Sequence, residues 1–150
     1  MIKFRSAQIS DAEIIAKNNL ILAEESEKCK INYDTTLKGI KSIINDDSKG
    51  FFIIAEENNK IIGHLIITYE WSDWYNKNTW WLQSVFVDKN YRKKGVFTKM
   101  FEHVKNQASD QNVDTIKLYV HNENINAIEA YEKIKMKNKP YKFYQISLSH

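Results

Sequence analysis

Gln83-Ser84-Val85-Phe86-Val87-Asp88-Lys89-Asn90-Tyr91-Arg92-Lys93-Lys94-Gly95-Val96-Phe97-Thr98-Lys99-Met100 is the stretch from which the fold is read. Val85, Phe86 and Val87 make a short apolar strand. Asp88 to Tyr91 make a polar turn, and Arg92, Lys93, Lys94 and Gly95 a basic run closed by glycine. An amphipathic helix follows. A strand that feeds a glycine-containing turn into a helix makes a site for a phosphorylated ligand. The first N–H groups of a helix have no intrahelical acceptor, and the helix dipole adds partial positive charge there. Gly95 has no Cβ, so the backbone can approach a phosphate closely. The plain alternative is a solvated basic turn.

Working outward, residues 2–7 read as a first strand. Ser10-Asp11-Ala12-Glu13 reads as a capping box with an Ile9/Ile14 staple. The helix it opens has an apolar pattern running through Ile14, Ile15, Leu20, Ile21 and Leu22 toward Glu27. Thr35 or Thr36 starts a second helix, with Leu37, Ile40, Ile43 and Ile44 on one face. Residues 51–55 and 61–69 form a hairpin around Glu57-Asn58-Asn59-Lys60. Residues 70–79 read as an aromatic, polar loop and 80–87 as the next strand. Downstream come a helix over 95–108, a strand over 115–120, a helix over 125–134 and a last strand over 141–148. Hairpins followed by strand–helix–strand–helix–strand predict an α/β mixed sheet with helices on both faces.

The 150 residues, 43% hydrophobic, suit one domain with a full core. The net charge of +3 is spread among acidic residues, which speaks against a nucleic-acid partner. Cys29 stands alone, so no internal disulfide forms, and no Cys/His spacing suggests a metal. The N-terminus lacks a signal-peptide core, and no apolar run approaches the ~20 residues of a membrane span. The expectation is a cytoplasmic protein without a membrane partner. His64, His103, His121 and His150 show no partner pattern. The first two read as structural or exposed, and His121 edges the strand before Asn124.

The order of elements and two motifs together resemble the GNAT superfamily of acyl-CoA-dependent N-acyltransferases over nearly the whole chain. The family's Arg/Gln-x-x-Gly-x-Gly/Ala, placed after a strand, is met at Arg92 and Gly95, with Phe97 where a small residue is usual. Its Asn-x-x-Ala-x-x-x-Tyr-x-Lys is met by Asn124, Ala127, Tyr131 and Lys133, although Lys135-Met136 replaces the Gly-Phe that usually follows. Glu70-Trp71-Ser72-Asp73-Trp74 followed by Trp80-Trp81-Leu82-Gln83-Ser84-Val85 resembles a bacterial subgroup. The resemblance implies one domain over 1–150, with a mixed sheet of about six to seven strands splayed apart at the cofactor site.

It also implies acetyl-CoA as acyl donor, with no metal. The pantetheine arm would lie along Val85, Phe86 and Val87, with Asn124 bonded to it. The pyrophosphate would sit on the N–H groups of Arg92, Lys93, Lys94, Gly95, Val96, Phe97 and Thr98. Tyr131 occupies the position of the family's general acid; taken alone, it reads equally as a core aromatic. A phenol of pKa about 10 gives a proton to a thiolate of pKa about 8.5 only within a positioned site. Many relatives carry a glutamate base where this chain has Gln83, which can hold a water but not take a proton. Glu70 or Asp73, directly or through water, or Glu25 are the substitutes. Carboxylates among aromatic rings at Glu70, Trp71, Asp73 and Trp74, with Glu25 from the first helix, suit a cationic amine. The bland reading is that these rings pack a hairpin and the carboxylates face water.

The expected activity is acetyl transfer from acetyl-CoA to a primary amine of a small molecule by direct attack. The alternatives are a non-catalytic acyl-CoA-binding or sensing module and an acetyltransferase acting on a protein amine. The aromatic C-terminal end leaves a homodimer open.

Overall fold

The computed structural model describes residues 1–149. Nine elements follow one another: β1 (Lys3–Ser6), α1 (Ala12–Glu27), α2 (Tyr33–Ile44), β2 (Phe51–Glu57), β3 (Lys60–Ser72), β4 (Lys77–Val87), α3 (Val96–Asp110), β5 (Ile116–Lys117) and α4 (Ile125–Lys133). The strands form one five-stranded sheet in the order β1-β2-β3-β4-β5. The first three pairings are antiparallel and β4–β5 is parallel. The mixed sheet is as expected, with fewer strands than the six to seven predicted.

Alternation along the strands builds two cores. Ile53, Ala55, Leu65, Ile67, Trp80 and Leu82 face α3, meeting Val96, Met100, Phe101 and Val104. Phe52, Ile54, Ile61 and Ile66 face α1 and α2, meeting Ala12, Ile15, Ala16 and Ile40. Helices therefore cover both faces. Trp80 is fully buried, with the Phe51 ring edge-on at 5.3 Å.

Several boundaries differ from the sequence reading. The entry to α1 is capped two residues earlier than Ser10: Gln8 N–H donates to Asp11 Oδ2 at 2.7 Å, Asp11 N–H to Gln8 O at 2.9 Å, and α1 begins at Ala12. Ile9 and Ile14 are both about half exposed, so the staple is not built. Asn32, not a threonine, caps α2 by accepting from Thr35 N–H at 2.9 Å. The predicted loop over 70–79 is mostly strand. Register continues from Tyr69↔Trp80 through Glu70↔Thr79 and Trp71↔Asn78 to Ser72↔Lys77, because β-branched and aromatic cross-strand pairs extend the ladder. β5 is only two residues long, and residues 141–148 form no strand: Tyr141, Tyr144, Ile146 and Leu148 are exposed, while Phe143 stacks on Tyr119 at 5.2 Å. The alternation there is genuine, but β5 offers almost no ladder to extend.

No helix among the described residues is long and apolar enough to cross a membrane. Nor do any three or more His, Cys, Asp or Glu residues among them gather as a metal site.

Asp11 carries the sharpest electrostatic feature of the fold. Its carboxylate takes two bonds from Arg5, at 2.8 and 3.0 Å, and Arg5 also reaches Glu56 at 3.0 Å. Hydrogen bonding from Arg5 holds the Asp11 pKa below the usual carboxylate range, against desolvation and helped by the Gln8 N–H. A folded-state pKa below the unfolded one stabilises above the unfolded value and loses that stabilisation as pH falls through the folded one. Asp11→Asn is therefore expected to cost about 1–3 kcal/mol at pH 7. Melting curves of wild type and variant should converge as the pH drops below about 4; parallel curves at every pH would contradict the pairing.

Candidate active site

The site is built around an irregularity in β4. His64 pairs with Phe86, but the next pairing is Ile66 with Gln83, so Ser84 and Val85 together face Leu65. This is a β-bulge, and Ser84 adopts φ +50°, a conformation that L-residues hold at a cost. On the opposite edge, β5 pairs with β4 only at Trp80↔Ile116 and Trp81↔Lys117. Beyond Trp81 the two parallel strands part. Residues 82–87 of β4 thus have no paired strand on that edge, a slot in the ladder beside the bulge.

The ladder fixes which groups look into the slot. Asp88 N–H donates to Ile62 O at 2.8 Å. Bonded pairs alternate in an antiparallel ladder, so His64–Phe86 is the next bonded pair, and the peptide groups of Val85 and Val87 turn to the opposite, open edge. The Val87 carbonyl on that edge accepts from Arg92 Nε at 2.9 Å.

The turn after β4 presents N–H groups. Lys93 (φ +61°) and Gly95 (φ +81°) are left-handed, and Gly95 is the N-cap of α3. The first helical bond runs from Lys99 N–H to Gly95 O at 3.1 Å. Nothing lies within 4 Å of where a Cβ on Gly95 would stand, so the cradle is open to an incoming group. The Arg92 guanidinium is engaged away from the turn's N–H groups: besides Val87 O, it donates from Nη2 to Glu25 Oε1 at 2.9 Å, tying the turn to the end of α1. Lys60 and Lys94 hold their ammonium groups over the Tyr91 ring at 5.7 and 5.9 Å. Phe97, in place of a small residue, turns inward onto Phe101 and Tyr131, leaving the backbone of the turn uncovered.

Tyr131 stands on α4, half-buried, with its ring edge-on to Phe97 at 5.4 Å. Burial pushes its phenol above the ordinary value, so it keeps its proton through the physiological range. Asn124 caps α4, its Oδ1 accepting from Ala127 N–H at 3.3 Å. Its amide N–H₂ has no partner among the described residues. A cleft of about 260 Å³ lies between the end of α1 and the start of α4, its lining including Glu25, Glu27, Lys28, His121, Glu123 and Asn124.

On the α1 side of the sheet the remaining candidates part company. Gln83, immediately before the bulge, is exposed; its Nε2 donates to Thr68 Oγ1 at 2.7 Å, which leaves Oε1 free as an acceptor. Glu70 accepts from Trp81 Nε1 at 2.8 Å and from Lys117 Nζ at 3.3 Å, and bonding from Trp81 lowers its pKa. A carboxylate held less basic is a poorer proton acceptor. Asp73 and Trp74 lie in the turn between Ser72 and Lys77, seven strand residues from Ser84, or roughly 23 Å along β4. Trp71 is exposed near the same tip. The structure does not bring these three to the slot.

One feature escaped the sequence reading, and a histidine read as structural or exposed lies buried beside it. Ser84 gives no sign in sequence that the strand bulges there. His64 is fully buried on β3, stacked on Phe86 at 5.2 Å and edge-on to Phe52 at 6.4 Å. A lone histidine inside the apolar run Ile61-Ile62-Gly63-His64-Leu65-Ile66-Ile67 was the available signal. His103, by contrast, simply stacks on Phe4 at 5.1 Å.

These features match known proteins. A model of the Acetyltransferase (GNAT) family matches residues 18–136. A crystal structure of a possible acetyltransferase from Clostridium difficile 630 is 40% identical, covering 100% of this chain and 99% of that one, with a TM-score of 0.91. A predicted acetyltransferase with acetyl-CoA from Clostridium acetobutylicum is 19% identical, covering 99% and 97%, with a TM-score of 0.80. Glucosamine-6-phosphate N-acetyltransferase from Arabidopsis thaliana is 18% identical, covering 97% and 98%, with a TM-score of 0.74. The last two show likeness of fold alone. No curated protein matches significantly. With the family matched across most of its length and the parted strands, bulge and glycine turn in place, the chain belongs to the GNAT acetyltransferase family and is an acetyl-CoA-dependent acyltransferase.

Proposed function

We propose that the enzyme acetylates a primary amine of a small molecule by direct attack within a ternary complex. The observation that carries this reading is the open edge of β4 beside the bulge. It offers backbone groups of Val85 and Val87 to the acyl arm of acetyl-CoA, and it leads to the N–H groups at the start of α3, which suit the pyrophosphate. Asn124 would hold the arm from the other wall.

The amine nitrogen forms a bond to the thioester carbonyl carbon, and the carbonyl π electrons move to oxygen. The Val85 N–H stabilises that oxyanion. Collapse breaks the C–S bond, and Tyr131 gives the departing sulfur a proton, recovering one from solvent. Among the described residues nothing in the slot suits a covalent relay: Cys29 follows α1, is exposed and has no histidine partner among them. Initial-rate lines should therefore intersect when both substrates are varied; parallel lines would point to an acetyl-enzyme and against direct attack.

The cleft of about 260 Å³ carries Glu27 and Glu123 beside Lys28, with Glu25 already paired to Arg92, and this small excess of carboxylates favours a small, positively charged acceptor. Glu70 serves the neighbouring sheet face by orienting Trp81 and Lys117. Gln83 Oε1 can accept from the amine or its water but cannot remove a proton for good. The amine, of pKa about 10, must then enter as its neutral fraction and lose its second proton to solvent. With no protein base to titrate, log kcat/KM should rise with unit slope from neutral pH toward the pKa of the acceptor itself. A plateau reached well below the acceptor pKa would assign the proton to a side chain.

A further inference from the structure

His64 is the buried titratable group that the mechanism leaves unused. It is fully buried, and neither ring nitrogen has a hydrogen-bond partner among the described residues. Such orphaned polar atoms are costly and rare in native interiors. Phe52 and Phe86 fix its ring from two sides, so it cannot swing away to find water. Its position along the chain matters more. His64 is the last paired residue before the bulge, and Phe86, its partner, is the first on β4 after Ser84 and Val85. Desolvation pushes its pKa down to about 4, and the Ser84 backbone pulls weakly the other way. The ring is therefore neutral under working conditions and carries a single N–H.

A peptide unit is planar and trans, so the Ser84 carbonyl and the Val85 N–H point in opposite directions. The Val85 N–H faces the open edge of β4, so the Ser84 carbonyl faces β3, the strand that carries His64. Whatever holds that carbonyl aims that N–H.

We infer that His64 is a positioning residue for acyl transfer: its buried imidazole donates to the Ser84 carbonyl as the bulge closes on the thioester, and so fixes the direction of the Val85 N–H that receives the oxyanion. The inference rests on the acetyltransfer reading above. His64 touches no substrate. It adds a side-chain bond to a strained peptide and so fixes its dipole, which is how oxyanion donors gain their strength.

The test measures thiol release from acetyl-CoA with a turning-over amine. His64→Phe keeps the aromatic sandwich and deletes the N–H. It is expected to lower kcat by about 10- to 100-fold while KM for acetyl-CoA stays within about twofold. His64→Asn or His64→Gln, whose amides reach toward the places of Nδ1 and Nε2, should return part of the lost kcat in one of the two. A His64→Phe enzyme with wild-type kcat would overturn the inference, as would a loss confined to KM. A packing defect alone would lower melting temperature in all three variants without that partial recovery. Should the variants not fold, the wild-type protein still decides. Its imidazole ¹⁵N resonances are followed by NMR during titration with CoA, then with a non-hydrolysable acetyl-CoA analogue. One protonated nitrogen whose shift moves with the analogue supports the bond, and no movement on saturation overturns it. Absence of wild-type turnover with every amine would instead count against the acetyltransfer reading, and the NMR result would stand apart from it.

Discussion

Tyr131→Phe is expected to bind acetyl-CoA with the wild-type KM and to lose about 10²- to 10³-fold in kcat, the range that a positioned general acid contributes. The substitution removes one oxygen and leaves the ring that packs edge-on against Phe97 at 5.4 Å, so the joint between α3 and α4 survives. The phenol is half-buried and its pKa is raised by desolvation, so it stays protonated while waiting for the thiolate. A proton moving from a phenol above its ordinary pKa of about 10 to a thiolate near 8.5 runs uphill in water. The transfer works only because the acid is held in place as the C–S bond breaks and charge builds on sulfur. Steady-state thiol release with the variant measures both parameters. Unchanged kcat would make Tyr131 a packing residue, and a raised KM with unchanged kcat would make it a cofactor contact.

Gly95→Val should act on the other parameter. Gly95 sits at φ +81°, where a β-branched side chain costs about 1–2 kcal/mol. Nothing stands within 4 Å of its missing Cβ, which is the space an approaching phosphate needs. Valine would both strain the turn and cover the N–H groups that precede Lys99. CoA affinity is expected to fall about 10- to 100-fold, corresponding to about 1.4–2.8 kcal/mol, while kcat at saturating acetyl-CoA stays within a few-fold. Isothermal titration with CoA reads this directly. Affinity within twofold of wild type would show that the turn does not carry the pyrophosphate.

These two residues were legible in the sequence because their chemistry is local. A glycine after a basic run and ahead of a helix announces a left-handed cap, and a tyrosine seven residues after a capping asparagine falls on a fixed face of α4. The cores were legible for a related reason: alternation at Phe52/Ile54 against Ile53/Ala55 already sorts β2 between two helical layers. What escaped the reading depends on long-range pairing. The bulge exists because β3 and β4 shift register against each other, and no single-strand pattern encodes that. The parting of β4 from β5 is likewise a property of two strands whose paired residues, Trp80 and Ile116, stand well apart in the chain. The partners of the Arg92 guanidinium, Val87 O and Glu25, lie one across a turn and one on a distant helix, so local sequence does not announce them. The aromatic segment from Glu70 to Trp81 misled for a simpler reason. Its polar residues read as a loop, yet the same residues extend a long hairpin and carry Asp73 and Trp74 away from the slot.

The measurement that tests the central claim most directly is thiol release from acetyl-CoA in the presence of separate amines: polyamines, amino acids, aminoglycosides and a lysine-containing peptide. Mass analysis of the acceptor accompanies each assay. The account predicts turnover with a small cationic amine, with the acetyl group found on its primary nitrogen. Turnover confined to the peptide, or none at all from a protein that binds CoA, would contradict it.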